Sequence, residues 1–296
     1  MQNKYLPEGR IIDTDENRMY TSSVAHLTEA FQKDMILEAV AVKCDSFKNL
    51  HVDFGFCTGI IPREEALYNP SGEAVKDIAV ITRVGKPVCF KVTDIDRTTQ
   101  EPCRVTLSRR LAQKECYENK AALFDEGDII TATVTHMEQF GAFCDIGCGL
   151  IALLPIDCIS VSRISHPCDR FVTGQHINAV IKTVDRELCR ITLSHKELLG
   201  SWEQNASLFK AGETVSGIVR SVEPYGIFIE LTANLAGLAE WADGVTAGQQ
   251  ATVYIKSIIP EKNKVKLVIV DVGEKVTSPA PMRYFHTAEG GEKLVL

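Results

Sequence analysis

The sequence has no long apolar run and no excess of basic residues. A helix that crosses a membrane needs about 20 consecutive apolar residues. No run in the 296-residue chain approaches that length, and the polar start MQNKYLPEGR lacks the apolar core of a secretory signal. We therefore expect a cytoplasmic protein without a membrane partner. The net charge of -7 argues against a simple cationic surface for nucleic acid.

Common enzyme motifs are also missing. The chain contains no glycine-rich phosphate loop, no HExxH and no GxSxG, the motifs typical of phosphate-binding folds, zinc proteases and serine hydrolases. Ser, His and acidic residues lie close together in SRISHPCDRF and SHKELLGSW, but catalytic triads assemble from distant segments, so this proximity is weak support. We predict that the protein is not an enzyme and needs no cofactor. One alternative is that the chain is a regulatory subunit of an enzyme, in which case the catalytic activity would belong to its partner.

The ten cysteines include no CxxC pair. In a protein without an export signal, cysteines are expected to be reduced thiols rather than disulfides. Cys144, Cys148, Cys158 and Cys168, together with His166, could form a metal cluster. However, the first two flank a predicted strand end, as small apolar residues often do. We therefore predict structural thiols and no metal site.

The most informative feature of the sequence is an internal repeat. Residues 124–146, FDEGDIITATVTHMEQFGAFCDI, align with residues 209–231, FKAGETVSGIVRSVEPYGIFIEL, at a constant offset of 85 residues and without a gap. Each copy continues with a Gly-Leu run, a Gly-Gln run and a final RITLS or KVKLV. A third, weaker copy precedes them, from MILEAVAVKC to RVTLSRR. A fixed period of this length indicates an array of similar modules.

Each copy contains five short runs in which Val, Ile or Thr alternate with polar residues. This pattern predicts five β-strands, and a sheet of about 70 to 80 residues can hide its edges by closing into a barrel of the OB-fold type. Helix-forming residues predict connectors at 107–124 and 193–209 and a helix from Ser22. We predict an all-β tandem array of three five-stranded OB-fold barrels joined by short helices. Its parts are a helical extension (1–33), a degenerate first barrel (34–113), a second barrel (124–199), a shortened third barrel (208–272) and a flexible tail (273–296).

The order of these motifs resembles that of one protein family. GDIITATV, FGAFCDIG, GL, GQHI and DRELCRITLS follow one another in the second copy. This order is similar to that of the S1 RNA-binding domain, the OB-fold module repeated in ribosomal protein S1. The resemblance covers residues 35–271 as three modules and is strongest in the second. It implies a bacterial single-stranded RNA-binding protein of translation or RNA metabolism, with mRNA as ligand and the small ribosomal subunit or a ribonuclease as protein partner.

The repeat carries a pair of aromatic residues at the predicted turn after its first strand. Phe140 and Phe143 in the second copy correspond to Tyr225 and Phe228 in the third. Exposed flat rings can stack on unpaired bases without selecting a sequence, whereas a lone pair is more often one core residue and one turn filler. Because the pair recurs in the same register, we predict that these four residues bind RNA. Gly141, between the rings, is expected to let a base approach the backbone closely.

The resemblance further implies an Asp and a basic residue beside the last hairpin of each barrel. Carried over by position, these are Asp185 and Arg190 in the second copy and Lys264 in the third; Arg186 is added for its charge. Such cations can neutralise a phosphate or stack on a base, although a single surface cation is more often only solvated. The second copy has Ala152 where the family has a histidine, which lowers the affinity expected of each module.

The first copy departs most from the pattern. Its segment DSFKNLHVDFGF has no FGxF at the corresponding turn. Phe47 and His51 could take the place of the aromatic pair, whereas Phe54 and Phe56 alternate with other residues as core positions of a strand do. We assign this barrel to a scaffold or protein-docking role, which is the role of degenerate modules in the family. For the whole chain, the alternative function is a protein-interaction scaffold or regulatory subunit that docks on the ribosome or a ribonuclease.

Charge is the main difficulty for RNA binding. Residues 124–199, which carry the best motif, contain more acidic than basic residues. Either the basic residues lie together on one face or several weak sites act together through avidity. This module also carries an excursion, residues 156–171, that the third copy lacks. The basic residues of the module are Arg163, Arg170, Lys182, Arg186, Arg190 and Lys196.

Overall fold

The computed structural model describes residues 4–69, 76–96, 104–276, 278–279, 282–288 and 293–294. Within them the chain forms three closed five-stranded barrels, which confirms the predicted all-β tandem array. In each barrel the neighbouring strands follow the order first, second, third, fifth, fourth, and the fourth strand closes on the first. The third and fifth strands run parallel, and the other registers that the structure gives are antiparallel.

The strands are short, and each barrel uses five of them. The first barrel consists of β1 (Leu37–Cys44), β2 (Leu50–Asp53), β3 (Thr58–Ile61), β4 (Pro87–Asp96) and β5 (Arg104–Ser108). The middle barrel consists of β6 (Ile129–Glu138), β7 (Gly141–Asp145), β8 (Ile151–Pro155), β9 (His176–Asp185) and β10 (Arg190–Ser194). The third barrel consists of β11 (Thr214–Glu223), β12 (Gly226–Thr232), β13 (Leu235–Ala239), β14 (Gln249–Ile259) and β15 (Lys264–Lys275).

The barrel interiors are filled by alternate residues of these strands. In β14 the side chains of Ala251, Val253 and Ile255 are buried, while the residues between them are exposed. This alternation is typical of a strand with one face on a core. In the first barrel, Phe54 and Phe56 pack against the core, with their ring centroids 6.1 Å apart. These two phenylalanines therefore belong to the core, as the sequence predicts.

Short helices precede the first barrel and connect the barrels. Most of them begin after a Ser or Thr whose hydroxyl accepts a backbone N–H, which satisfies one of the free donors of the first helical turn. Both predicted connectors contain a helix, and the N-terminal extension contains two helices instead of one. The helices in the described residues are α1 (Asp15–Tyr20), α2 (Val24–Gln32), α3 (Asp77–Ile81), α4 (Arg109–Asn119) and α5 (Trp202–Ala206).

The chain divides into two compact units. The first comprises described residues within 1–124, 145–152 and 184–190, and the second comprises those within 125–144, 153–183 and 191–296. In the first unit, the fully buried carboxylate of Glu8 accepts hydrogen bonds from Nε and Nη2 of Arg109 at 2.6 and 2.9 Å. Asp145 accepts a hydrogen bond from the backbone N–H of Glu8 at 2.8 Å. These contacts fasten the N-terminal segment of this unit.

In the second unit, parts of the C-terminal segment pack against the folded chain. The hydroxyl of Tyr284 lies 3.0 Å from Nε2 of the buried His195. The backbone N–H of Phe285 donates to the carbonyl of Leu198 at 2.8 Å. Strand β15 also continues to Lys275. The prediction of a flexible tail from residue 273 does not fit these residues, and positions 277, 280–281, 289–292 and 295–296 lie outside the described residues.

Candidate nucleic-acid interface

The middle barrel presents an aromatic pair at the turn between β6 and β7. Phe140 lies in this turn with 57% of its surface exposed, and Phe143 lies on β7. Their ring centroids are 5.9 Å apart and the rings stand edge to face at 89°. His136 on β6 stacks on the other side of the pair, with its ring 6.1 Å from that of Phe143 and inclined by 17°. The sequence analysis missed this histidine.

The third barrel repeats the same arrangement. Tyr225 lies in the turn between β11 and β12 and is 70% exposed. Its ring centroid is 6.1 Å from that of Phe228, and the two rings are inclined by 85°. Two barrels of different sequence therefore hold the same edge-to-face pair at the same turn, with the outer ring open to solvent. The outer ring of each pair is free to accept a second flat ring on its face.

The glycine inside each motif is required by the neighbouring strand. A Cβ on Gly141 would lie 2.5 Å from the carbonyl oxygen of Leu154 and 3.0 Å from Cα of Pro155. On Gly226 it would lie 2.6 Å from the carbonyl oxygen of Ala239. Backbone atoms cannot move aside as a flexible side chain can. The glycine thus allows two strands to approach closely, which is a different reason from the approach of a base that the sequence suggested.

Lys266 lies in the same row of the third barrel as the inner ring. Phe228 on β12 is opposite Leu238 on β13, and Leu238 is opposite Lys266 on β15. Lys264, the residue chosen from the sequence, stands two positions earlier at the start of β15 and is also exposed. The alternating KVK of this strand puts both ammonium groups on its outer side. The alternation of lysine and valine in KVK could have indicated Lys266 as a second exposed cation.

The hairpin between β9 and β10 carries the charged residues chosen in the middle module. Asp185 accepts hydrogen bonds from the backbone N–H groups of Glu187 and Leu188 at 3.1 and 2.9 Å, so its carboxylate shapes this turn. Arg186 donates to the carbonyl of Phe124 at 3.4 Å. Arg190 begins β10 and is exposed. The hairpin therefore exposes the side chain of Arg190, while Asp185 has a local structural role.

The position that the family gives to a histidine is not equivalent in the two barrels. Ala152 is buried in β8. Counted from the Gly-Leu pair, the residue of the third barrel is Glu240, which is exposed just after β13. The strand pairs Thr192–Leu153 and Lys266–Leu238, however, make Gly237 the structural counterpart of Ala152. Its neighbour Trp241 is 56% exposed, and the sequence analysis did not select it. An exposed tryptophan near the aromatic turn adds a third flat surface to this barrel.

The basic residues of the middle module do not all remain available to a ligand. Arg170 is buried and forms a bidentate ion pair with Glu230 of the third barrel, with Nη1 2.8 Å from Oε1. Lys182 donates to the sulfur of Cys158 at 3.1 Å, and Lys196 donates to the carbonyl of Asp157 at 3.1 Å. The idea that all six cations form one open face is therefore wrong for Arg170.

The excursion of the middle module makes the contact with the third barrel. The backbone N–H of Ser162 donates to the carbonyl of Ala233 at 3.0 Å, and that of Val161 donates to Oδ1 of Asn234 at 3.0 Å. Together with the ion pair of Arg170, these bonds join the excursion to the third barrel within the second unit.

Three of the four cysteines considered as metal ligands lie in the interior of the fold. Cys144, Cys148 and Cys158 are buried. Over the described residues, no group of three or more His, Cys, Asp or Glu is arranged to hold a metal ion. In the same part of the chain, no helix is long and apolar enough to cross a membrane.

Comparison with known proteins supports the reading of the middle barrel. Residues 123–196 match the family model described as the S1 RNA binding domain. The small ribosomal subunit protein bS1 homolog of Bacillus cereus is 31% identical over 201 residues, which is 64% of this chain and 50% of that protein. The small ribosomal subunit protein bS1 of Staphylococcus aureus is 28% identical over 283 residues, which is 90% of this chain and 67% of that protein. The chain thus spans about half the length of the first relative.

A likeness among solved structures is weaker. A multidomain protein with nucleic acid binding domains from Streptococcus pneumoniae is 14% identical, and the match covers 80% of this chain and 74% of that protein with a TM-score of 0.26. This likeness adds nothing to the assignment, which rests on the family match, the bS1 relatives and the barrel fold. Residues 123–196 thus match the S1 RNA-binding domain in both sequence and barrel fold, and the chain as a whole is similar to bS1 proteins of the small ribosomal subunit.

Proposed function

We propose that this chain is a cytoplasmic single-stranded RNA-binding protein of bacterial translation or RNA metabolism, with mRNA as its ligand and the small ribosomal subunit as its site of action. The observation that carries this proposal is the repeated edge-to-face aromatic pair at the same turn of two barrels, one of them an S1 RNA-binding domain. The bS1 relatives are named as proteins of the small ribosomal subunit. The chain acts without an enzymatic step and without a cofactor.

Binding proceeds mainly by stacking. One unpaired base lies on the exposed outer ring of each pair, Phe140 or Tyr225, and each stacked base contributes about 1 to 3 kcal/mol. The inner rings, Phe143 and Phe228, hold the outer rings edge to face and limit their motion. This mechanism suits a chain of net charge -7 because stacking does not need an excess of cations.

Phosphate contacts supplement the stacked bases. Arg190 in the middle module and Lys264 in the third provide exposed cations, and Arg186 adds a third. Asp185 belongs to the site as the residue that shapes the hairpin carrying the two arginines. The two stacking modules comprise residues 124–199 and 208–272. Few phosphates are neutralised, so the affinity should fall only modestly as salt increases.

The double variant Phe140→Ala with Tyr225→Ala tests the proposal. Loss of two stacked bases should weaken the binding of single-stranded RNA by about 30-fold or more, measured by fluorescence anisotropy. The matched control is Ile78→Ala with Leu123→Ala, two exposed apolar side chains on helical segments rather than on barrel strands. If the aromatic variant binds RNA as tightly as the control while remaining folded, stacking is not the mechanism.

A second candidate function, docking on a protein partner, is favoured by one surface of the third barrel. Tyr254 on β14 is opposite Val268 on β15, and both side chains are exposed, as is Val270. Such a strip of apolar side chains on an outer barrel face is typical of protein contacts. A ribosomal or ribonuclease partner would then be lost on Tyr254→Ser, while the affinity for RNA would be unchanged.

A further inference from the structure

The first barrel also exposes an aromatic ring at the turn after its first strand. Phe47 lies between β1 and β2 and is 79% exposed, the highest value among the large apolar side chains that the structure describes. The same turn carries Phe140 in the middle barrel and Tyr225 in the third. A phenylalanine this exposed contributes little to the core of its barrel. Core packing therefore does not account for a phenylalanine at this turn.

The strand register shows that the second position of the aromatic pair is also occupied. In the third barrel β11 has a bulge after Val219, and the next paired residue, Ser221, is opposite Phe228. In the first barrel β1 has a bulge after Ala41, and the next paired residue, Lys43, is opposite His51. His51 thus occupies the position of the inner ring. The sequence offers Phe47 and His51 as possible substitutes for the pair but does not align them with it, because the first barrel has a longer turn.

The turn that carries Phe47 is held rigid by a single carboxylate. Asp45 accepts hydrogen bonds from the backbone N–H groups of Phe47 and Asn49, each at 2.9 Å. The same carboxylate lies 3.1 Å from Nε2 of His51, and these hydrogen bonds, that of His51 foremost, lower the pKa of Asp45 to about 2. Lys48 adopts the left-handed conformation with φ 69°. Hydrogen bonds that fix the backbone of this turn lower the entropy cost of ordering the segment on binding.

Two lysines lie in or next to this turn. Lys43 precedes it on β1 and is exposed, and Lys48 lies within it and is half-buried. Residues 34–113 contain equal numbers of basic and acidic residues, whereas residues 124–199 contain more acidic ones. The first region therefore repels the negative charge of a nucleic acid less than the second does.

We propose that the first barrel binds an unpaired nucleotide of the same RNA strand by stacking its base on Phe47, with Lys43 and Lys48 contacting the adjacent phosphates. His51 fills the inner position of the pair and is held by Asp45. This inference rests on the proposed function, since it extends the same mode of binding to a third turn. It replaces the scaffold role that the sequence suggested for this barrel.

The test uses the full chain with a labelled, unstructured RNA of about 40 nucleotides, long enough to reach several OB barrels. Phe47→Ala should weaken binding by about five-fold or more, the loss of one stacked base. Phe47→Trp keeps a flat ring and should bind within about two-fold of the original protein, because stacking tolerates any aromatic face. Phe31→Ala, which truncates an exposed phenylalanine on helix α2, is the matched control and should have no effect.

The outcomes separate this inference from the proposed function. Loss with Phe47→Ala and recovery with Phe47→Trp supports the third stacking position. If Phe47→Ala binds as the original protein does while Phe140→Ala with Tyr225→Ala loses affinity, the first barrel has no RNA site and the proposed function stands. If neither variant loses affinity, both proposals fall and the exposed ring belongs to a protein contact.

Discussion

Glu230 is the common partner of two buried arginines, so its removal should cost more than the removal of one arginine. Its carboxylate accepts hydrogen bonds from Arg170 at 2.8 Å and from Nε of Arg220 at 2.7 Å. The three side chains, Arg170, Glu230 and Arg220, are 4%, 7% and 11% exposed. Glu230→Gln therefore removes the nearest counter-charge of two poorly solvated cations and leaves them Asp169, 4.0 Å from Nη1 of Arg220, whereas Arg170→Met leaves Glu230 paired with Arg220.

The magnitudes follow from this asymmetry. Breaking a buried ion pair by removing one partner costs about 3 to 5 kcal/mol. A cavity of about 500 Å³ adjoins Arg170 and Glu230, so water can partly hydrate a charge that is left alone, and we expect the lower end, about 3 kcal/mol, for Glu230→Gln. Arg170→Met replaces a buried cation by an apolar chain of similar length, and we expect about 1 kcal/mol because the remaining pair stays intact.

Hydrogen exchange is the appropriate assay because a chain of several barrels does not unfold in one step. Amides of residues 158–172 and 226–234 should exchange about 100-fold faster in Glu230→Gln and about five-fold faster in Arg170→Met. Arg163→Met, an exposed arginine on the same excursion, is the control and should change nothing. Equal effects of the two variants, or a larger effect of Arg170→Met, would refute the shared-partner argument.

Two further predictions concern pH and a glycine. Burial lowers the pKa of His195 to about 4, while an unfolded histidine binds its proton at about pH 6.5. Stability should therefore be lost as the pH falls from about 6.5 to about 4, seen as a falling midpoint of thermal unfolding. His195→Asn should lack this part of the dependence of stability on pH. A variant with the same dependence as the original protein would contradict the assignment to His195. Gly141→Ala should cost about 1 to 3 kcal/mol because its Cβ meets the carbonyl of Leu154 at 2.5 Å. The control is Gly273→Ala, whose Cβ would lie 3.7 Å from the carbonyl oxygen of Gln250. Equal midpoints of thermal unfolding for the two variants would contradict the steric argument.

The barrels and the aromatic turns could be predicted from the sequence because their causes are local. Alternation of apolar residues gives strands, and the gap-free repeat at 85 residues fixes the register of Phe140 on Tyr225. The helical connectors follow from helix-forming residues and from Ser108 and Ser201 at their starts. Alternation and capping are read from a few neighbouring residues, and the repeat then fixes which positions of the two barrels correspond.

The remaining features depend on partners far apart in the sequence. Arg170 looks like a surface charge until its partner, 60 residues away, is found at hydrogen-bond distance. Tyr284 looks like part of a free tail until His195 is seen beside it. The equivalence of His51 and Phe228 is masked by a longer turn, which shifts the first barrel out of alignment with the third. Composition and spacing carry no record of such contacts.

The central claim, that the barrels bind unpaired bases by stacking, is tested most directly by one titration. Fluorescence anisotropy of a single-stranded RNA of about 20 nucleotides, long enough for more than one OB barrel, is compared with that of the matched duplex at two salt concentrations. The account predicts saturable binding of the single strand, much weaker binding of the duplex, and a salt dependence equivalent to only a few phosphates. Equal binding of the duplex, a steep salt dependence, or no binding at tens of micromolar protein would contradict it.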